Sequence, residues 1–243
     1  MHTRRQPKRV LTQTTIRMPT DPAETGNRIL DTLPASVQKA CRRSLVSLPA
    51  GTEVAAQGEK IAHAFFPTTA VCSMLVELST GDKAEAAAVG RDGFVGVPLV
   101  LGHAVSPSSG IVQVAGDGYR LPARGLLDLC KQHEPFRKAL FQYSAFHLHL
   151  AVRSVACNSF HSIRQRLARW LLFAHDRAAK DEFPMTHETL SAMLAATRPR
   201  VSQAAARLKA EGVIESRRGK MRILDRRGLE AAACECYAAT LRT

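Results

Sequence analysis

The residues best suited to chemistry lie near the C-terminal end, in the stretch Arg198-Pro199-Arg200-Val201-Ser202-Gln203-Ala204-Ala205-Ala206-Arg207-Leu208-Lys209. A guanidinium can bond guanine O6 and N7 in pairs, and a carboxamide can do the same to adenine N6 and N7. The spacing puts these groups on one side of a helix. Val201, Ala204, Ala205 and Leu208 recur at helical intervals and form an apolar face. Arg198, Arg200, Ser202 and Gln203 are then the candidates for contact with bases, and Arg207 for contact with phosphate. Just upstream, Leu190, Met193 and Leu194 form a second short apolar stripe. The segment from Met185 to Ile214 therefore reads as two short helices joined by a tight turn, the unit that places a helix in the DNA major groove. Thr197 is placed to cap the second helix, and Pro199 suits its first turn. Ala195 stands where such a turn commonly has glycine. If φ is positive there, alanine adds about 1 kcal/mol of strain.

Beyond Gly212, Val213 to Ser216 and Met221 to Leu224 read as two short strands around Arg217-Arg218-Gly219-Lys220. This is a hairpin with a basic tip, the wing of a winged helix-turn-helix. Arg217, Arg218 and Lys220 are assigned to phosphates, giving affinity and salt dependence rather than sequence preference.

Other chemistry is less supported. Nine histidines are present, but His63, His103, His133, His147, His149 and His161 show no H-x-H plus carboxylate pattern on barrel strands, since His147 and His149 are two apart on a helix and point to different faces. Nucleophile elbow, P-loop and dinucleotide fingerprints are absent from the sequence. No enzyme activity is expected, a cupin-like metalloenzyme being the remote alternative. The six cysteines (41, 72, 130, 157, 234 and 236) are scattered and do not form a disulfide framework. Cys234 and Cys236 form one C-x-C, and one such pair cannot fill a tetrahedral zinc site. The expectation is no metal and no cofactor. The alternative is a metal- or thiol-redox-sensing regulator using Cys72, Cys157 or the C-terminal pair.

Several elements must carry and position the helix pair. A helix is predicted from His161 to Ala179, with Ile163, Leu167, Trp170, Leu171 and Ala174 inward and Arg164, Arg166, Arg169 and Arg177 outward. Before it, Pro135 opens a long helix with two apolar stripes. Phe141, Ala145, Leu148, Val152 and Val155 follow a 4-3-4-3 spacing, a coiled-coil seam. Phe136, Leu140, Tyr143, His147, Leu150 and Cys157 form the second. Two stripes imply two partners, its own domain and the same helix of another subunit; the alternative is a helix buried inside a monomer. From Pro49 to Pro122 short apolar runs alternate with glycines in the manner of a small antiparallel barrel or jelly roll. Strands are expected around Phe65-Phe66, Val71 to Leu78, Ala86 to Val89 and Ile111 to Val114, with a short helix from Pro122 to Leu129. Gly26 to Leu48 reads as one or two short helices, broken at Pro34. Residues 1–26 read as a disordered basic tail.

Net charge is +13 over 243 residues. Residues 1–28 carry six Lys/Arg against two acids, residues 29–160 twelve against ten, and residues 161–243 sixteen against nine. The excess lies in the tail and the C-terminal third, where a polyanion partner would sit. No apolar run reaches the 18 residues of a membrane span, and the basic N-terminus lacks the apolar core of a secretory signal.

In this order, the parts resemble the bacterial Crp-Fnr superfamily of transcription regulators. The matching strings are GTEVAAQGEKIAHAFFPTTAVCSM and VGRDGFVGVPLVLG in the barrel, then ACNSFHSIRQRLARWLL, the helix pair and GLEAAACECY, together covering about residues 27–237. The resemblance implies an α+β chain of three parts. A double-stranded β-helix sensor barrel would span 27–133, a dimerisation helix 134–159, and a winged helix-turn-helix 160–237. It also implies a cytoplasmic homodimer on double-stranded, pseudo-palindromic DNA, acting with RNA polymerase and without a membrane. Arg198, Pro199 and Gln203 match the family's base-reading positions. Pro199 replaces a common Glu, so the operator should differ from the family consensus. Members that bind cyclic nucleotides carry Gly-Glu-Leu and a later Arg-Ser pair. Here the step is Gly96-Val97-Pro98, and His103 to Gly110 offers Ser108 and Ser109 but no Arg. The pocket is degenerate, tight cAMP binding is not expected, and the effector is unidentified. The iron–sulfur mode of the oxygen-sensing relatives is not expected either, because no cysteine precedes Cys41.

Overall fold

The computed structural model describes residues 25–178, 181–217 and 219–241. The expected tail lies outside them except at its end. There Thr25 is buried, its N–H and hydroxyl bonding Asp31 Oδ1, and Tyr119 donates to its carbonyl. Asn27 follows, fully enclosed, its amide donating to the Pro67 and Gly93 carbonyls. Thr25 and Gly26, placed in the expected tail, thus belong with the folded residues.

Pro34 precedes helix α1 (Ala35–Cys41), consistent with a break at that residue. The helical reading fails at the end of this segment, where Leu45–Leu48 is strand β1 rather than a helical turn. Tertiary pairing decides this, since β1 lies antiparallel against β7 (Gly116–Pro122), which also pairs with β3 (His63–Pro67). The second sheet has the order β2-β6-β4-β5, from β2 (Glu53–Ala55), β4 (Val71–Glu77), β5 (Lys83–Val89) and β6 (Ser109–Val114). The two antiparallel sheets face each other around Phe66, Phe94, Val112, Leu121 and Leu126. The short helix α2 (Val97–Val100) sits between β5 and β6.

Helix α3 (Ala123–Gln132) leads into α4 (Glu134–Phe160), 27 residues long with Pro135 in its first turn. The two stripes of α4 have separate fates. Phe136, Leu140, Tyr143, Leu150 and Cys157 are buried against the barrel and the C-terminal elements. Phe141, Ala145, Leu148, Val152 and Val155 all face solvent, the four large ones 48%, 65%, 63% and 70% exposed. The helix is therefore not enclosed within one chain. Gly93 has no room for a Cβ because the Tyr143 ring lies on it, so that glycine sets how closely α4 approaches the barrel.

Helix α5 (Ile163–Ala178) packs between the barrel and the C-terminal domain. Leu167, Trp170, Leu171 and Ala174 are buried as predicted, but the arginines do not face out. Arg166 and Arg177 are each 6% exposed, and Arg164 and Arg169 are half-buried. With neighbours on both sides, α5 has no free polar face, and its cations must find partners inside. Arg177 bonds Asp92 at 3.1 Å and lies over the Phe173 ring. Arg166 donates to the Leu194 carbonyl. The remaining elements are β8 (Glu182–Pro184), α6 (His187–Met193), α7 (Arg198–Ala210), β9 (Ile214–Arg217), β10 (Lys220–Ile223), α8 (Arg226–Ala232) and α9 (Cys236–Leu241).

Candidate nucleic-acid interface

Thr186 accepts from the Thr189 N–H at 3.0 Å and starts α6. Helix α6 ends at Met193, and the chain turns through Ala195, whose φ is +43°, the one positive value outside glycine among the described residues. The turn is closed by Ala196 N–H to Ser191 O at 3.1 Å. The Arg166 guanidinium, its charge disfavoured by burial, braces the turn through the Leu194 carbonyl. Thr197 is the N-cap of α7 as expected, but its side chain makes no capping hydrogen bond.

Helix α7 buries Val201, Ala204, Ala205 and Leu208 and leaves Arg198, Pro199, Arg200, Gln203 and Arg207 exposed. Arg200, Gln203 and Arg207 line a shallow cleft of 220 Å³ with Ser162, Ile163 and Arg164. Arg164 itself forks onto the Glu211 carboxylate and holds that carboxyl below its usual range. Ser202 is half-buried, and its hydroxyl is 2.8 Å from His187 Nδ1, a bond from α7 back to α6.

The wing is present, its strands shifted by about one residue from the predicted bounds. β10 pairs with β9 on one side and with β8 on the other, a third strand the sequence reading did not include. Arg217 is exposed at the tip, and Arg218 lies outside the described residues. Lys220 is exposed but paired with Glu182 at 2.9 Å, which lowers the Glu182 pKa.

In the barrel, Gly96 takes φ +121° and lies against Ala64, starting α2 at Val97-Pro98. Ser108 is buried and its carbonyl accepts from Ser106, while the Ser109 hydroxyl accepts from the Gln57 N–H at 3.2 Å. The Ser108 carbonyl and the Ser109 hydroxyl thus serve the barrel's own hydrogen bonding. Barrel and C-terminal half meet directly. Glu85 on β5, hydrogen-bonded by Ser73, accepts Trp170 Nε1–H at 3.1 Å, and burial raises its pKa. The Arg177 stem lies where a Cβ on Gly90 would be.

The sequence reading did not bring the C-terminal cysteines together with Cys157. The structure groups Cys157, His161, Cys234 and Cys236, while Cys72 stands apart in the barrel core with burial pushing its thiol up to about 12. The available signal was the pair of short spacings, C-x3-H and C-x-C.

Residues 165–232 match the Crp-like helix-turn-helix domain. No curated protein matches the chain by sequence. Among solved structures, FixK2 from Bradyrhizobium japonicum is similar at TM-score 0.66 and 16% identity, covering 78% of this chain and 96% of its own. A Crp/Fnr-family transcriptional regulator from Thermus thermophilus gives 0.61 and 22%, with coverages of 78% and 97%. The c-di-GMP-responsive global regulator Clp of Xanthomonas campestris gives 0.62 and 13%, with 78% and 98%. Residues 165–232 thus carry a Crp-like helix-turn-helix domain, and the barrel, long helix and C-terminal elements together share the fold of these solved structures.

Proposed function

We propose that the protein is a homodimeric, sequence-specific transcription regulator that reads a pseudo-palindromic operator through α7. The observation that carries this reading is the division of α7: its apolar residues are buried, and Arg198, Arg200, Gln203 and Arg207 stand free on the opposite side. Arg198 and Gln203 supply paired bonds to bases. Arg200 and Ser202 add contacts at the same face. Arg207, Arg217, Arg218 and Lys220 hold phosphates, Lys220 exchanging Glu182 for the DNA anion.

The exposed stripe Phe141, Ala145, Leu148, Val152 and Val155 on α4 supports dimerisation, because apolar groups at 4-3-4-3 spacing are the seam of a two-helix coil. A two-fold axis along α4 would set two α7 helices about 34 Å apart, one turn of DNA. The domain boundaries 27–133, 134–159 and 160–237 follow the same division of labour. Gly96, Val97, Pro98, Ser108 and Ser109 offer no cation to a cyclic phosphate, so the barrel answers to another signal. Selection of bound duplexes from a random pool tests the reading. The expected product is a two-fold site with half-sites one turn apart, with Arg198→Ala relaxing the preference at one base pair per half-site. Enrichment of asymmetric sequences, or none, would overturn it.

A further inference from the structure

Four ligand-bearing side chains meet where the long helix ends. Cys157 lies in the last turn of α4, and His161 follows four residues later in the link to α5. Cys234 and Cys236 come from the link between α8 and α9 and the first residue of α9. The three cysteines are buried, at 0%, 4% and 2% exposure, and form a cluster of their own. One ligand atom from each of the four residues lies within 4.8 Å of all the others.

The separations suit a single ion. Around Zn2+, with Zn–S of about 2.3 Å and Zn–N of about 2.0 Å, tetrahedral angles put sulfurs about 3.8 Å apart and sulfur about 3.5 Å from nitrogen. Here Cys157 Sγ is 3.6 Å from Cys234 Sγ, and Cys236 Sγ is 3.7 Å from His161 Nδ1. A four-iron cluster, with metal and sulfide between its ligands, would need the sulfurs spread further apart.

The imidazole is also oriented for ligation. His161 Nε2 is 3.1 Å from the Glu235 carboxylate. An ionised carboxylate only accepts, so Nε2 carries the proton and the Nδ1 lone pair faces Cys236. A carboxylate bonded to the far nitrogen of a ligating histidine is the usual outer support of a zinc site.

We infer that Cys157, His161, Cys234 and Cys236 form a closed Cys3His site for a zinc-class divalent cation, which ties α9 to the junction between α4 and α5. Four protein ligands leave no open position, so the ion is structural rather than catalytic. Its place is the hinge between the long helix and the DNA-binding half, and it holds that hinge by joining ligands 77 residues apart, such as Cys157 and Cys234.

Cobalt substitution tests the assignment. The full-length protein, reduced and stripped with chelator, is titrated with Co2+ and then with Zn2+. The expected result is one Co2+ per chain, with intense thiolate-to-cobalt charge transfer and tetrahedral d–d absorption, bleached by Zn2+. Cys236→Ser should lose that spectrum, and Cys130→Ser, a cysteine outside the cluster, should keep it. Glu235→Gln should weaken Co2+ affinity by about tenfold or more. Hydrogen exchange of the α9 amides should slow when Zn2+ is added to the stripped wild-type protein. Failure of the folded wild type to take up stoichiometric Co2+, an octahedral spectrum, or a spectrum unchanged by Cys236→Ser would each overturn the site. So would a reversible Cys157–Cys234 disulfide with no metal uptake, which would make the cluster a redox pair.

Discussion

Ala195→Gly should stabilise the protein. Ala195 turns the chain between α6 and α7 with φ at +43° and is exposed. An L-residue with a Cβ pays about 1–2 kcal/mol in the left-handed region, because its Cβ crowds the backbone carbonyl. Glycine avoids that cost but has more freedom to lose on folding, about 0.4–1 kcal/mol. The methyl group faces solvent, so its removal opens no cavity. The balance is a gain of about 0.5–1 kcal/mol, or about 1–4 °C in Tm for a chain of this size. Thermal unfolding followed by circular dichroism measures it. Ala195→Val is the opposing control, since a β-branched residue at positive φ should lower Tm by more than glycine raises it. DNA affinity should change little with glycine, because Arg166 still holds the Leu194 carbonyl and the turn. A glycine variant that melts at or below the wild type would show that the turn relaxes without strain, and the reasoning would fail.

The α4 seam gives a second prediction: Leu148→Glu with Val152→Glu should leave monomer secondary structure intact and shift sedimentation from dimer to monomer, since both side chains are exposed in one chain. The third concerns pH. Burial raises the Glu85 pKa from its ordinary 4.5, so the native state holds the proton more tightly than the unfolded chain does. Stability from this group is then full below about pH 4.5 and declines as pH rises through the raised folded value. Glu85→Gln should flatten that decline, seen as a smaller fall in Tm between acid and neutral pH than in the wild type. The fourth is calorimetric: without the arginine contact, worth about 1.5–3 kcal/mol, cAMP should bind well above micromolar Kd.

The DNA-binding end was the most legible, because helix pairs, turns and wings are local. Leu190, Met193, Val201, Ala204, Ala205 and Leu208 all bury where their spacing puts them. The two stripes of α4 were legible in periodicity, but that Phe141, Leu148, Val152 and Val155 are the uncovered one depends on how the barrel and the C-terminal elements pack. Misreadings arose where distant elements decide. Leu45 to Leu48 have helical neighbours but become a strand because β7 offers an edge. Arg166 and Arg177 look like a solvated face in the sequence, yet α5 is enclosed on both sides and both are buried. The grouping of Cys157 with Cys234 spans 77 residues and depends on how α9 folds back.

The string V-G-R-D-G-F-V-G gains a physical meaning from these contacts. Gly90 admits the Arg177 stem, Gly93 admits the Tyr143 ring, and Gly96 lies against Ala64 while starting α2. Asp92, between the first two, binds Arg177. One turn of the barrel therefore touches the long helix and the C-terminal half at once, through close contacts. Displacing this turn would disturb the contacts of Tyr143 on α4 and Arg177 on α5. Arg177 and Trp170 lie on the same helix as Arg166, which braces the turn before α7. Helix α5 thus joins the barrel turn, through Arg177 near its C-terminal end, to the turn before α7, through Arg166 near its N-terminal end. The hinge cluster of Cys157, His161, Cys234 and Cys236 stands where that helix meets α4. Movement of the barrel turn and fixation of the hinge would therefore act on the same coordinate, the angle at which α7 is presented to DNA.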